Sequence, residues 1–350
     1  MEKFAPGAAR RINPLKSPNW DALVTSHPDF SFFHGTAWAR VLADTYGFVP
    51  HYFCADSAAA EPVLPLMEVD SWLTGRRGIA LPFTDECAPL GTNKIALGKL
   101  FQDALAFGKL RGWKYIELRG GRNLLDGDAP ASLSFYGHHL ELGADESGLL
   151  GKMESAVRRA VRKAEKDGVT VEILQSREAV LIFYQLQCLT RKKHGLPPQP
   201  REFFMNIHRH ILSENQGMIA VASHRDRPIA ASVYFFLGGR AVYKYGASDA
   251  ACQHLRGNNL VMWEAMKWLA RKGMKRLHLG RTSIFNEGLR RFKLSLGAHE
   301  EKIEYVKFDL RQNRFVTEVD GVAGWHNRVF RVMPAFASRV AGRILYRHWA

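Results

Sequence analysis

The sequence predicts an α/β chain, α+β in its arrangement, made of two copies of one β-β-β-α-β plan. Length, the order of apolar runs and one repeated junction carry that prediction. The 350 residues amount to about two domains. In each half, three runs of strand length precede one long amphipathic pattern and a further strand. The junction RGWKYIELRG, starting at Arg111, lies over KGMKRLHLGR, starting at Lys272, at an offset of 161 residues. In both, a basic residue and Gly close a helix, where Gly suits the left-handed cap position. A bulky apolar residue and Lys then lead into an alternating strand.

In the first half, HYFCAD (51–56) and EPVLPLMEV (61–69) form a hairpin around a short Ala/Ser-rich turn, and GIALPF is a third strand ending near Asp85. KIALGKLFQDALAFGKLRG is a helix with Leu97, Leu100, Phe101, Ala104, Leu105 and Phe107 on its apolar stripe. It stops at Gly112, and KYIELRG follows as a strand. In the second half, MIAVASHRDRPIAASVYFFLG is two strands around the polar turn His224 to Arg227, and AVYKYGAS is the third strand. NNLVMWEAMKWLARKGM is the helix, ending at Gly273, and KRLHLGR is the last strand.

Between the halves, Leu150, Met153, Val157, Val161 and Ala164 mark one face of a single helix from Leu150 to Asp167. Arg158, Arg162 and Lys166 stack on another face at spacings of four. Such a like-charge stack costs helix stability, so an anion site explains it as well as a solvated face does. From Gly321 to Ala350 there is no Asp or Glu, while five Arg residues interleave with Val329, Val332, Met333, Phe336, Val340, Ile344 and Leu345. This pattern suits either a basic amphipathic segment on an anionic membrane face or a terminal helix packed on the domains. Pro334 breaks any continuous helix there.

Composition excludes several classes. With 46% hydrophobic and 24% charged residues the chain is neither disordered nor collagen-like. It has no apolar run of about 18 residues, hence no expected membrane-spanning helix. The N-terminal residues lack a signal peptide's apolar centre. The four cysteines are isolated from one another, which gives neither a zinc ribbon nor a disulfide framework and fits a reducing cytosol. No P-loop, HExxH or GxSxG pattern is present. His208 and His210 fall on different helix faces, and His138 and His139 on opposite strand faces, so neither pair is expected to share a metal. The net charge of +15 calls for an anionic partner.

The repeated plan resembles the GNAT acyltransferase core. Two such units in one chain, with LGRTSIFNEGLRRFKLSLGAHEEKIEY from Leu279, TRKKHGLPPQP, YKYGAS, NNLVMWEAMKW and RRAVRKAEKDGV, resemble the FemAB (FemABX) family of tandem-GNAT transferases. Within it, the likeness is to members associated with exopolysaccharide and exosortase gene clusters. The resemblance covers roughly 30–305 and implies a mixed, mostly antiparallel sheet flanked by helices in each domain. Expected boundaries are 1–145 for the first domain, 146–310 for the second and 311–350 for a basic tail packing back on the first. The single helix before the second domain matches the armless form of the family. The implied activity is transfer of an acyl or aminoacyl group to an amine of a cell-envelope, peptidoglycan or exopolysaccharide precursor. The implied donor is acyl-CoA or aminoacyl-tRNA, with no tightly bound cofactor. The expected location is the cytoplasm, at the inner face of the membrane if the tail binds there.

Acyl transfer to an amine requires proton removal, donors for a tetrahedral oxyanion, alignment, and a positive cradle for donor phosphates. In GNAT proteins a Gly-rich turn into the helix after the fourth strand provides the cradle, through free N–H groups and the helix dipole. Here that turn is His254-Leu-Arg256-Gly257-Asn258-Asn259. Its first Gly is kept and its last is Asn, a departure from the usual acetyl-CoA pattern. APLGTNKIALG in the first half is no closer. The FK element implies a catalytic Lys293 beside Phe292, and the GR element a phosphate-binding Arg281. Ser283 and Asn286 share that loop. Lys244 and Tyr245, on YKYGAS, and Lys192 and His194, beside Gly195 and Pro197, are further candidates for substrate binding, and Arg158 and Arg162 for phosphate. Asp85, with Glu86, ends a first-domain strand where it could hold a substrate amine. Glu117 and Arg119 suit a structural ion pair. Two other readings use the same charge: a degenerate RNA module that binds tRNA, and a peripheral scaffold of a polysaccharide assembly complex.

Overall fold

Alternating apolar runs build the strands of the computed structural model, which describes residues 10–55, 62–125, 129–143, 145–318, 320 and 326–349. The chain divides into two compact units. The first comprises Met1–Phe135, Lys302–Asp320 and Arg347–Ala350, and the second Tyr136–Glu301 and Gly321–Tyr346.

The first unit contains β1 (Arg10–Ile12), α1 (Trp20–Thr25), α2 (Thr36–Tyr46), β2 (Val49–Cys54), β3 (Val63–Val69), β4 (Arg77–Ile79), α3 (Lys94–Leu110) and β5 (Tyr115–Arg119). β2 and β3 pair antiparallel from Val49↔Glu68 to Cys54↔Val63. The connecting turn lies outside the described residues. β5 returns parallel to β4, with Gly78 opposite Ile116. The helix stripe is buried as its spacing predicts: Leu97, Leu100, Phe101, Ala104 and Leu105 pack with Phe53, Leu64, Leu66, Ile116 and Leu118. The third strand is shorter than GIALPF suggests. Leu81 and Phe83 have φ of 46° and 62°, a left-handed conformation that ends a strand. Buried Glu68 accepts from Arg111 Nε and Nη2 (2.9 and 2.8 Å) and from Trp113 Nε1 (2.6 Å).

The second unit holds most of β6 (Leu133–Glu141), then α4 (Glu146–Lys152), α5 (Ser155–Lys166), β7 (Val169–Leu174), α6 (Arg177–His194), α7 (Arg201–Ile207), β8 (Gly217–His224), β9 (Arg227–Leu237), β10 (Arg240–Ser248), α8 (Gly257–Arg271), β11 (Arg276–His278), β12 (Thr282–Ser283) and α9 (Glu287–Ser295). Its strands run in the order β6-β11-β10-β9-β8-β7. β11 pairs parallel with β10, Arg240 opposite Arg276, the same return that β5 makes to β4. Gly112 and Gly273 both adopt positive φ (69° and 85°) at the two helix ends, so the repeated junction is a repeated conformation. The predicted single helix before this unit is two helices. Met153, with ψ of 144°, breaks it between α4 and α5, and the buried Met153 side chain joins the core with Val157, Val161 and Ala164.

The chain then runs through β13 (His299–Asp309) and β14 (Arg314–Phe315) to α10 (His326–Val332) and α11 (Ala335–Leu345). Two expected boundaries are corrected here. Residues 302–310 belong to the first unit, because Tyr305–Asp309 of β13 pair antiparallel with β5. The basic tail does not return to the first unit as a whole. α10 and α11 pack on α6 of the second, and of the tail, 311–320 and Arg347–Ala350 belong to the first. There His348 is buried, its Nδ1 2.8 Å from Ser71 Oγ and its carbonyl accepting from Arg77 Nη2 at 2.9 Å. No helix among the described residues is long and apolar enough to cross a membrane.

Candidate functional site: a cationic groove at an uncapped helix

The third strand of the second unit prepares the site. β10 pairs with β11 only from Arg240 to Val242. Beyond that point a register shift between Tyr243 and Tyr245 places Lys244 in a β-bulge. The extra residue turns the strand over. Tyr243 packs against the core shared with α8, whereas Tyr245 joins Phe183, Phe203 and Phe204 of α6 and α7. An unbroken strand would put Tyr243 and Tyr245 on one face, and the bulge puts them on two. Lys244 lies with its Nζ 5.4 Å from the Tyr245 ring centroid. Past Val242 the β11-facing backbone groups of β10 have no ladder partner on β11, so an edge opens beside the bulge.

β10 leads through a short turn into α8, whose entry carries the conformational constraint. Arg256 adopts φ of 58°, and no side chain caps the helix. The first N–H groups of such a helix have no intrahelical acceptor and sit at the positive end of its dipole. Gly257 is buried there, and a Cβ on it would stand 3.0 Å from Ile229 Cδ1. Asn258 Nδ2 donates to Ser248 Oγ at 3.3 Å, tying the helix entry to the end of β10.

This helix end opens into a groove of about 750 Å³ lined by Arg159 and Lys163 of α5, Arg256 and Asn259 of α8, and Arg291 and Phe292 of α9. Lys163 is paired to Asp167. Arg159, Arg256 and Arg291 have no such pairing among the described residues. Glu154 is the one acid in the lining. The groove thus combines fixed partial positive charge with full cations, which suits the phosphates of a ligand.

The groove gathers Arg256, Asn259 and Phe292 from the residues expected in sequence, and adds Arg159, Lys163 and Arg291. Arg158 and Arg162 line a neighbouring cavity of about 550 Å³ with Ser147 and Leu150 at the α4–α5 elbow. Arg159 lines both cavities, whereas Arg158 and Arg162 line only the second and Lys163 only the first.

Lys293 is placed differently from a cation lining a channel. It is 3% exposed, and its Nζ donates to the carbonyls of Gly280 (2.7 Å) and Arg281 (3.2 Å). The side chain ties α9 to the loop after β11. Asn286 caps α9 through Leu289 N at 3.1 Å, and Ser283 Oγ accepts from Phe285 N at 3.3 Å. These two residues shape the loop, and Arg281 contributes its carbonyl to the Lys293 anchor. Asp85 lies in the first unit, where its carbonyl accepts from Tyr305 Oη at 2.5 Å. Lys192 and His194 stand in the last turn of α6, where cations complement the helix dipole. Partial burial, followed by the charges of Lys193, Arg191 and Arg331, lowers the pKa of His194. α10 and α11 lie on the adjoining 195–200 segment. Gly195 sits against the Asn327 carbonyl and Gly342 against that of Pro198.

Sequence reasoning missed a buried network beside Lys293. His138, fully buried, has Nε2 3.0 Å from Glu300 Oε2, and Glu300 also accepts two bonds from Arg290, each 2.8 Å. Arg290 in turn lies 4.3 Å over the Tyr136 ring. Burial and then the nearby Lys293 charge lower the His138 pKa. Only the His138-His139 pair was visible in sequence; Glu300 lies 162 positions away.

Residues 151–302 match the model of an acetyltransferase (GNAT) domain. No curated protein matches the chain. Among solved structures, FemX aligns with a TM-score of 0.66 at 16% identity, over 85% of this chain and 96% of FemX. A tandem GNAT protein from the clavulanic acid biosynthesis pathway aligns at 0.54 and 8%, over 87% and 98%. L-PGS from Bacillus licheniformis aligns at 0.52 and 13%, over 88% and 94%. The chain has a tandem GNAT-like fold. At these identities the likeness to solved structures is one of fold. The GNAT match falls on the repeat that contains the groove, with α5, the bulged β10, α8 and α9 all inside it.

Proposed function

We propose that the chain is an N-acyltransferase whose second GNAT-like repeat takes a phosphate-bearing acyl donor in the groove at α8. One contrast between the repeats carries this reading. In the first repeat Asn93 caps α3, its side chain accepting from Ala96 N at 3.1 Å. In the second the corresponding helix end is uncapped and opens among cations. A helix end left without an internal acceptor beside Arg159, Arg256 and Arg291 supports binding of a pyrophosphate such as that of acyl-CoA.

In the reaction an acceptor amine attacks the donor carbonyl carbon, the bond from that carbon to the leaving sulfur or oxygen breaks, and the amine proton leaves. The backbone groups opened where β10 parts from β11 support a role as oxyanion donors. The fold likeness to FemX favours an acceptor among cell-envelope or polysaccharide precursors, and aminoacyl transfer as the finer activity. The test is calorimetric titration with CoA and acyl-CoA, followed by release of free thiol with a panel of amines. Arg256→Gly removes the cation while easing the positive φ. It is expected to leave the fold intact and raise KM for the donor about tenfold, the loss of one charged hydrogen bond. Unchanged donor binding in this variant would remove the groove from the reading.

A second reading is favoured by the cations on both flanks of α5: an aminoacyl-tRNA donor that lays its backbone along Arg158, Arg159 and Arg162. Filter binding of bulk tRNA decides it. Charge-driven binding must weaken steeply with salt, and no binding at low salt eliminates this donor.

A further inference from the structure

We infer that the outward face of α10 and α11 docks the protein on an anionic phospholipid surface. The observation is an inverted helix. α11 turns its small residues inward, with Ser338 and Gly342 its buried positions. A Cβ at Gly342 would run into the Pro198 carbonyl oxygen, so the helix is seated as close as its backbone permits. Its large apolar residues point to solvent. Phe336, Val340 and Ile344 recur at spacings of four and are 67, 54 and 55% exposed, and Val332 at the end of α10 is 83% exposed. A helix made only to cover the domain would turn these side chains inward.

The charges select the occupant. Arg339 and Arg343, also four apart, run beside the apolar stripe, and Arg328 and Arg331 stand on α10. All four are exposed and none has an acidic partner among the described residues. The segment from Gly321 onward contains no Asp or Glu. Lys192 and Lys193 extend the positive rim at the end of α6, on which α10 packs. An apolar stripe with cationic flanks is the pattern of a helix lying at a membrane interface, and clustered Arg and Lys are drawn to anionic leaflets. A second copy would bring arginines against arginines with no acids to offset them, so self-association through this face is opposed by charge. This inference does not depend on acyl transfer.

Flotation of the full chain with vesicles of phosphatidylcholine alone, or with about one third phosphatidylglycerol, tests it. The protein is expected to float with the anionic vesicles at low salt and to be recovered roughly tenfold less at high salt. Phe336→Ser/Ile344→Ser should cut flotation about tenfold with an unchanged melting temperature, since both residues are exposed. Arg339→Gln/Arg343→Gln should abolish the preference for anionic vesicles. Equal recovery in the soluble fraction with both vesicle types overturns the inference, as does flotation that neither double variant alters. If light scattering shows that the apolar variant converts a dimer to a monomer while flotation is unchanged, the face is a self-interface and the inference also fails.

Discussion

Lys293 shows how far one residue's role depends on what surrounds it. Its FK motif suggests a reactive cation, yet its ammonium is buried on two backbone carbonyls of the loop after β11. It acts first by positioning that loop. Lys293→Met keeps the length of the side chain and removes both bonds. It is expected to lower stability by about 2 kcal/mol, because two buried carbonyls lose a charged donor, and to reduce kcat more than KM. Thermal denaturation together with steady-state kinetics checks this. An unchanged melting temperature would contradict the anchoring role. Arg256 is the converse case. Its sequence neighbours, Gly257 and two Asn residues, depart from the usual phosphate turn, but the backbone still leaves the helix end open, and the cations come from other elements.

At the scale of elements, α8 and α5 make the groove together. The N-terminus of α8 favours negative charge whether that charge belongs to the protein or to a ligand. Asn259→Asp places a carboxylate in the first turn. It should stabilise the protein by about 0.5 kcal/mol through the helix dipole and at the same time raise KM for a phosphate-bearing donor several-fold by like-charge repulsion. Chemical denaturation and donor titration measure the two effects separately. A gain in stability with an unchanged donor KM would mean that no anion binds at this helix end. The bulge at Lys244 is a second device of this scale. One extra residue sends Tyr243 and Tyr245 to opposite faces of the sheet and turns a simple alternating strand into one with an open edge.

Over the whole molecule, the two repeats share a plan and differ at one helix end. Each has a helix that ends at a Gly cap, followed by a strand that returns parallel to the third strand. In the first repeat the helix end is satisfied by Asn93; in the second it is not. Asn93→Ala is therefore expected to cost about 1 kcal/mol of stability with unchanged kinetic constants, the reverse of Arg256→Gly. Calorimetry and donor kinetics on the two variants side by side test this difference. A change in donor KM from Asn93→Ala would place chemistry in the first repeat too.

The sequence by itself determined the duplicated plan, the order of strands and helix within each repeat, the Gly caps and the location of the turn into α8. All of these rest on local periodicity and on backbone conformations that Gly and Pro dictate. Tertiary structure decided which cations meet. Arg159, and not Arg158 four positions before Arg162, lines the groove with Arg256 and Arg291, which come from other elements. Glu300 reaches His138 across 162 positions, a contact no local pattern encodes. The orientation of α11 was likewise beyond the sequence. Its apolar residues mark a face, but Gly342 on Pro198 fixes which face turns inward, because close backbone packing there admits only the small side.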